Sequence, residues 1–400
     1  MSKIKPKIKR ALSRIGMLDF VYSLTDQYKR FIPKFRKAKI EDQDVGGEYD
    51  KIKNYHRPEK IAVNKSNPVI SEIEINKNCN LDCVMCNTSL SKRPDFNMKL
   101  DLFENILIKM KKLGNRVTTL HTIGEPLMNK DLFKYFELLR KYKMKVFLST
   151  NAIPLNEKNI RKLLDWTDVI YTLRFSIDGS TKDVYEKIRV NGDFDILIRN
   201  LETFKRINNG KIHVSMNSIV STDTKEQLAH HLSFYSKYVP MENMILSLVN
   251  GLSPDNSYFF KHSTFKNHIV RQVPCGQFEG GINVLNDGSV TACCRDYQGD
   301  LVYGNIGTQE VSEVLEGEKL KQLIAEHNDR KIPKGSLCST CYEVDKRIVK
   351  VFKLFQISLV AMYKDNWDID AMQSKFNDFF TLFQNSMPPK EEFLKILKPN

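Results

Sequence analysis

The 400-residue chain lacks any run of eighteen or more apolar residues, the length that a membrane-spanning helix requires. It also lacks the apolar segment of a secretory signal peptide, since its first ten residues carry four lysines and one arginine. We therefore expect a cytoplasmic protein. Hydrophobic residues make up 41% and charged residues 28% of the chain, which excludes a disordered chain or a fibre and predicts one large core with smaller appended modules.

The positive charge is concentrated at the amino terminus. The formal net charge is +14, but residues 1–40 alone carry 12 Lys and Arg against two Asp, which leaves only +4 for the other 360 residues. This distribution argues against a nucleic-acid-binding protein. Apolar residues recur at helical spacing between these charges and predict a basic amphipathic helix. Such a helix either packs on the main domain or docks on an anionic membrane surface or an acidic partner, and membrane docking would place the protein peripherally at the inner membrane surface.

From about residue 69, apolar segments typical of strands alternate with amphipathic segments typical of helices. The predicted strands are Val69–Asn76, Val117–Ile123, Lys145–Thr150, Val169–Ile177, Ile212–Val220 and Met244–Val249. The predicted helices between them are Leu102–Leu113, Lys130–Tyr142, Glu157–Leu164, Phe194–Ile207 and Thr224–Tyr238. Regular alternation predicts an α/β fold with a parallel sheet, here a partial (β/α)6 TIM-like barrel. In such a barrel the active site lies at the carboxyl ends of the strands.

Three cysteines follow the first predicted strand within eight residues, Cys79, Cys83 and Cys86. Eight cysteines in a reducing compartment favour metal ligands or nucleophiles over disulfides. Three thiolates on one loop can hold three irons of a [4Fe-4S] cluster and leave the fourth iron open. Zinc is the alternative, but a structural zinc site needs four ligands, and no nearby His or fourth Cys completes this set.

The Cys-x3-Cys-x2-Cys spacing resembles the radical S-adenosylmethionine enzymes, and the resemblance extends from about Ile73 to Glu343. Segments after the next predicted strands match the family in order: Gly124-Glu125-Pro126, Ser149-Thr150-Asn151 and Ser176-Ile177-Asp178-Gly179. The resemblance implies that these residues, with Arg189 and Met85, bind S-adenosylmethionine. The residue types suit this ligand, because its ammonium needs a carboxylate, its carboxylate a guanidinium and its ribose short polar side chains. His121 precedes the Gly124-Glu125-Pro126 segment and could face the barrel interior, but a core histidine is expected rather than a catalytic one.

Five further cysteines follow the predicted barrel. Between them, Ile282–Leu285 and Val290–Cys293 predict a β-hairpin closed by an Asp-Gly turn, and a helix is expected over Val311–Glu326. The spacing of Gly288 and Cys293 resembles the SPASM and twitch domains, which bind auxiliary iron–sulfur clusters. With no cysteine after Cys341, the shorter twitch type with one auxiliary [4Fe-4S] cluster is the better match. The resemblance implies four ligands, Cys275, Cys293, Cys338 and Cys341, and a zinc ribbon is the alternative.

Cys294 is left without a ligand role, although the choice between Cys293 and Cys294 rests only on family spacing. A free thiol beside the cluster is chemically suited to return a hydrogen atom to a substrate radical, which would give an epimer. The alternative is a buried, inert cysteine. In that case the substrate radical loses an electron to the auxiliary cluster and the product is a ketone, which is the outcome that we favour.

The resemblance implies reductive cleavage of S-adenosylmethionine to a 5′-deoxyadenosyl radical that abstracts hydrogen from a substrate carbon. An external electron donor such as flavodoxin or ferredoxin is expected. A sugar or cyclitol is the favoured substrate, oxidised or epimerised at an alcohol carbon. The alternatives are a peptide-modifying enzyme and a cluster-bearing scaffold without turnover.

Four regions are predicted: a basic helical extension over residues 1–68, the barrel over 69–252, the auxiliary-cluster domain over 270–345 and a helical extension over 346–400. In the last region, Lys346–Tyr363 and Met372–Phe383 are amphipathic. Such helices either pack against the barrel or form a dimer interface, and packing is expected.

Overall fold

The computed structural model describes residues 44–56, 59–251, 256–279, 281–363 and 367–398. The predicted amino-terminal amphipathic helix lies outside these residues. Within them, the main sheet has nine strands in the order β10-β9-β8-β1-β2-β3-β4-β5-β6. Strands β1 to β6 are parallel and adjacent in chain order, with helices between them. The predicted α/β fold with a partial TIM-like barrel is therefore confirmed.

The barrel strands and helices follow one another along the chain. The strands are β1 Ile70–Ile73, β2 Val117–Thr119, β3 Lys145–Thr150, β4 Ile170–Ser176, β5 Val214–Val220 and β6 Met244–Leu248. Helix α1 Val45–Lys53 precedes the barrel, and the barrel helices are α2 Leu100–Lys112, α3 Leu132–Lys141, α4 Glu157–Leu164, α5 Lys182–Ile188, α6 Phe194–Asn208 and α7 Leu228–Ser236. β1 and β2 are shorter than predicted, because the chain after each leaves the sheet to form the loops of the site.

The helices cover the sheet with one apolar face each. In α3, the buried residues are Leu132, Tyr135, Phe136 and Leu139, at the i, i+3, i+4, i+7 spacing of a single helix face. The exposed residues of this helix are all charged: Lys134, Glu137, Arg140 and Lys141. Removal of such apolar faces from water is the main stabilising contribution to the barrel.

The carboxyl-terminal module extends the barrel sheet. Its elements are α8 Ser257–His262, β7 Ile269–Arg271, β8 Ile282–Val284, β9 Ser289–Thr291, β10 Val302–Asn305, α9 Val311–Glu316, α10 Glu318–Asn328 and β11 Tyr342–Val344. The predicted hairpin is present as β8 and β9, and Gly288 in its turn has φ +84°. β8 also pairs in parallel with β1, so barrel and hairpin share one sheet. The helix predicted over Val311–Glu326 is wrong in one respect: it is two helices, since Gly317 between them has an extended backbone.

Three helices complete the chain, α11 Lys346–Tyr363, α12 Ile369–Leu382 and α13 Lys390–Ile396. Their phenylalanines form an aromatic cluster, in which Phe355 and Phe379 have ring centroids 4.5 Å apart. α12 contacts α7 of the barrel, and Gln356 of α11 donates to the carbonyl of Met244 at the start of β6. The expected packing against the barrel is therefore confirmed. A search of the described helices finds none that is long and apolar enough to cross a membrane.

The guanidinium group of Arg93 contacts both the barrel and the carboxyl-terminal module. Arg93 binds both carboxylate oxygens of Glu74, directly after β1, at 2.8 and 2.9 Å. It also donates to the carbonyl of Tyr297 at 2.9 Å and to Oδ1 of Asn286 at 3.2 Å. Glu74 is fully buried and the Arg93 side chain is 11% exposed, so this pair is shielded from solvent.

We expect Arg93→Met to lower the free energy of unfolding by about 3–5 kcal/mol, because it leaves the Glu74 carboxylate buried without its counter-charge. Urea denaturation followed by tryptophan fluorescence measures this change. The control is Lys321→Met, which breaks the exposed Lys321–Glu318 pair and should cost less than about 1 kcal/mol. Equal losses in the two variants would contradict the assigned importance of Arg93.

Candidate active site

A cavity of about 380 Å³ lies at the carboxyl ends of the barrel strands, where the alternating fold places an active site. The loop after β1 and the strand ends of the barrel form most of its wall, and the segment after β9 closes the opposite side. We call this space the active-site cavity. It is lined by Glu72, Cys79, Leu81, Cys83, Met85, Cys86, Asn87, Thr88, His121, Thr122, Ile123, Gly124, Glu125, Ser149, Thr150, Asn151, Ser176, Arg189, Asn217, Ile219, Cys294, Arg295 and Tyr297.

The three cysteines of the β1 loop all reach this cavity. The Sγ of Cys79 accepts from the Leu81 N–H at 3.4 Å, and the Sγ of Cys83 lies 3.6 Å from a guanidinium nitrogen of Arg189. Burial raises the pKa of Cys79 to about 11 and raises that of Cys83 as well. The thiolate form that binds metal is therefore unfavourable here without added positive charge, which iron supplies. The donor set fits an iron–sulfur cluster.

The Gly124-Glu125-Pro126 turn packs directly on the backbone that precedes Cys79. Glu125 N–H donates to the carbonyl of Asn78 at 2.7 Å, and the Asn76 amide donates to the carbonyls of Asn78 and Glu125. Gly124 has φ +87°, and a Cβ there would lie 2.8 Å from the Asn76 carbonyl oxygen. Only glycine combines this backbone conformation with such close approach. The turn therefore fixes the start of the cysteine loop.

The carboxylate of Glu125 is buried and points back toward the third strand. It accepts from the Asn151 N–H at 2.7 Å and from the Leu127 N–H at 3.1 Å. Burial raises the pKa of Glu125 to about 7, although both hydrogen bonds oppose the shift. A ligand ammonium would compensate the desolvated carboxylate, so the site fits the cationic end of an amino acid.

Arg189 brings a positive charge to the same cavity. It follows α5 and forms an ion pair of 2.7 Å with Asp178, which comes directly after β4. Asp178 is fully buried, also accepts from the Ile219 N–H, and does not line the cavity. The ion pair with Asp178 and the nearby Cys83 thiol raise the pKa of Arg189. Arg189 therefore remains charged and can hold a ligand carboxylate.

The other residues predicted to bind the cofactor either line the cavity or lie beside it. Met85, Ser149, Thr150, Asn151 and Ser176 line the cavity, and the Asn151 amide lies 3.8 Å from the Cys79 Sγ. Pro126 is buried at the start of a short 3-10 helix, directly after Gly124 and Glu125.

The cysteines of the carboxyl-terminal module gather around Arg295. Cys338 lies close enough to Cys275 and Cys341 for both to raise its pKa, and with burial as the main cause it reaches about 12. Cys293 accepts from the Arg295 N–H at 3.4 Å, and the charges of Cys293, Cys294 and Cys341 act on the Arg295 guanidinium. Cys294 lines the active-site cavity, whereas none of the four predicted auxiliary ligands does. Within the described part of the chain, no three His, Cys, Asp or Glu side chains are grouped tightly enough for a single metal ion.

Sequence reasoning missed several cavity residues. Glu72 and Asn217 were not singled out, and His121, expected in the core, lines the cavity instead. For Glu72 the alternation of polar residues at 72, 74 and 76 with isoleucines was a signal, because it predicts that these polar residues share one face of the strand predicted over Val69–Asn76.

Two family models match the chain. The model described as the radical SAM superfamily matches residues 73–235, and the SPASM model, described as an iron–sulfur cluster-binding domain, matches residues 275–342. The second match covers the module for which the sequence predicts the shorter twitch type. The number of auxiliary clusters stays a prediction.

Two curated relatives and one solved structure are similar to this chain. The mycofactocin maturase MftC of Mycolicibacterium smegmatis is 24% identical over 173 residues, which are 43% of this chain and 42% of the maturase. The S-adenosyl-L-methionine-dependent 2-deoxy-scyllo-inosamine dehydrogenase of Niallia circulans is 23% identical over 278 residues, covering 68% of this chain and 92% of the dehydrogenase. The structure of anSMEcpe with bound AdoMet has a TM-score of 0.52 at 17% identity, over 78% of this chain and 98% of that one, which supports the fold.

The first matched domain binds a [4Fe-4S] cluster and S-adenosylmethionine, and the second binds an auxiliary iron–sulfur cluster. The cysteine loop, the Gly124 turn and the cysteines around Arg295 fit these groups. Residues 73–235 form a radical S-adenosylmethionine domain, and residues 275–342 form an iron–sulfur cluster-binding domain of the SPASM type.

Proposed function

We propose that this enzyme removes hydrogen from an alcohol carbon of a sugar or cyclitol and oxidises that carbon. The observation that carries the proposal is the shared active-site cavity: the cysteine loop after β1 forms one wall, and Cys294 of the SPASM module lies on the opposite side. A substrate that binds between these walls has the radical source on one side. The auxiliary cluster lies on its other side, beyond Cys294. The similarity to the 2-deoxy-scyllo-inosamine dehydrogenase, over 92% of that protein, supports an alcohol substrate.

The described residues bind and orient the two cofactors. We assign Cys79, Cys83 and Cys86 to the first cluster, and Cys275, Cys293, Cys338 and Cys341 to the auxiliary cluster. When bound, the reduced first cluster and S-adenosylmethionine supply a carbon radical that abstracts hydrogen. Flavodoxin or ferredoxin is the proposed electron donor.

Glu125 and Arg189 hold the two charged ends of the methionine part of the cofactor. The buried Glu125 carboxylate binds the ammonium, and Arg189 binds the carboxylate. Asp178 acts as a positioning residue, because its ion pair and its hydrogen bond to the Ile219 N–H fix the guanidinium. Ser149, Thr150, Asn151 and Ser176 are assigned to contacts with the polar part of the cofactor. Met85 is assigned to the cavity wall next to the cofactor.

A peptide-modifying maturase is the second candidate. The match to the mycofactocin maturase favours it, although this match spans less than half of that protein. A carbonyl product from a cyclitol would support the first candidate, whereas turnover of a peptide alone would support the second.

Replacing Cys79, Cys83 and Cys86 together by Ala should abolish formation of 5′-deoxyadenosine from S-adenosylmethionine, because no thiolate remains to hold the first cluster. Chromatography of the reduced, reconstituted protein measures the product. Iron analysis and electron paramagnetic resonance should still detect the auxiliary cluster. Cleavage at the wild-type rate would refute the ligand assignment, and loss of all iron would contradict the independence of the two sites.

Gly124→Ala should weaken S-adenosylmethionine binding at least about tenfold, because a Cβ at 2.8 Å from the Asn76 carbonyl displaces the turn that carries Glu125. Equilibrium dialysis with the reconstituted protein gives the dissociation constant. Gly114→Ala is the matched control, since Gly114 also has a positive φ of +72° but no atom within 4 Å of its added Cβ. Equal affinities in the two variants would argue against a role of the turn.

Turnover of 2-deoxy-scyllo-inosamine in deuterated water should give a carbonyl product and no deuterated epimer, in the wild type and in Cys294→Ala. This follows if the substrate radical is oxidised before any thiol returns hydrogen to it. Mass spectrometry and NMR identify the product. A deuterated epimer that disappears in Cys294→Ala would instead establish Cys294 as a hydrogen donor and the enzyme as an epimerase.

A further inference from the structure

The active-site cavity contains a carboxylate that cofactor binding does not use. Among the described residues, four carboxylate or guanidinium side chains line it: Glu72, Glu125, Arg189 and Arg295. Arg189 is paired with Asp178, and Arg295 is paired with Glu343 of β11. Glu125 has two backbone N–H donors and the proposed cofactor ammonium. Glu72 is the remaining charge.

Glu72 lies on β1 inside the barrel, opposite Thr119 of β2 in the sheet register. No hydrogen bond or ion pair to its carboxylate is formed within the residues that the structure describes. Arg174 of β4 stacks on the ring of Phe147, 4.2 Å from its centroid, and favours the charged form of Glu72 from a distance. Burial raises the pKa of Glu72 well above its usual range, and the nearby Cys294 thiol adds to the rise, while the charge of Arg174 opposes it only in part.

Two neutral polar side chains reach the same cavity. The Nδ1 atom of His121 is buried without a hydrogen-bond partner, and burial lowers the pKa of this imidazole to about 4, so it is uncharged near neutral pH. Asn217 of β5 is held in place by Ser247, whose hydroxyl donates to its Oδ1 at 2.7 Å. An imidazole and an amide are suitable hydrogen-bonding partners for hydroxyl groups. A buried polar atom without a partner is costly, so a ligand that satisfies it gains affinity.

We propose that Glu72 binds a protonated amino group of the substrate while His121 and Asn217 contact its hydroxyl groups. The substrate class is then an amino sugar or an aminocyclitol. A phosphorylated substrate is disfavoured, because its anionic group would meet the Glu72 carboxylate. This inference rests on the proposed function, since it places the substrate in the cavity that also takes the cofactor.

The test compares three probes on the reconstituted full chain loaded with S-adenosylmethionine: 2-deoxy-scyllo-inosamine, its analogue with a hydroxyl in place of the amino group, and myo-inositol 1-phosphate. Isothermal titration calorimetry should show the amine binding about tenfold or more tightly than the hydroxyl analogue, as expected for a hydrogen bond to a buried charge. The phosphate should not bind measurably. Equal binding of amine and hydroxyl analogue, or no binding of the amine, would overturn the proposal.

Glu72→Gln should remove the preference for the amine while changing the affinity for the hydroxyl analogue less than about threefold. Glu137→Gln, at an exposed position of α3, is the matched control and should keep the preference. A preference retained in Glu72→Gln would overturn the role of Glu72. The comparison of probes on the wild type decides the substrate class even if this variant does not fold.

Formation of 5′-deoxyadenosine by the reduced wild type tests the proposed function separately. If the amine preference is present but no 5′-deoxyadenosine forms, the proposed function fails and the binding assignment stands. If 5′-deoxyadenosine forms but the amine and the hydroxyl analogue bind equally, only the role of Glu72 fails.

Discussion

The contact between Arg93 and Glu74 is the constraint on which the site depends. This guanidinium binds the end of β1 and, at the same time, the Tyr297 carbonyl and the Asn286 side chain of the SPASM module. It therefore holds the module against the mouth of the barrel. Cys79 lies five residues after Glu74, and Cys294 lies three residues before Tyr297. This buried ion pair, together with the pairing of β8 with β1, therefore connects the two walls of the active-site cavity.

The cavity combines groups that are unfavourable in isolation. Burial raises the pKa values of Cys79 and Cys83 and that of Glu125, because each loses water without a sufficient opposite charge. In the proposed assignment, iron at the cysteines and the cofactor ammonium at Glu125 supply the missing positive charge. Ligands that bind only the folded state also stabilise it. The folded enzyme is therefore expected to gain stability when both cofactors bind, and the rigid Gly124 turn keeps the groups aligned for them.

Sequence patterns predicted the barrel more accurately than the packing around it. Strand and helix alternation located β3 and α4 at their observed bounds, because both elements are continuous amphipathic or apolar segments. It overestimated β1 and β2, since the pattern does not reveal where the chain leaves the sheet to form a loop. The helix expected over Val311–Glu326 is interrupted at Gly317, where the extended backbone separates two short helices.

The sequence by itself determined the parallel α/β fold and the resemblance to radical S-adenosylmethionine enzymes, and it predicted an iron–sulfur role for the cysteine loop, because motif spacing and hydrophobic periodicity carry this information. The tertiary structure decided which charged side chains form ion pairs and which of them face the cavity. Asp178 is turned away from the cavity and fixes Arg189, whereas Glu72 and His121 face the cavity from adjacent strands. The pairing of β8 with β1 brings Cys294 to this cavity from more than two hundred residues further along the chain. Such contacts depend on strand order and side-chain burial, which no short stretch of sequence specifies.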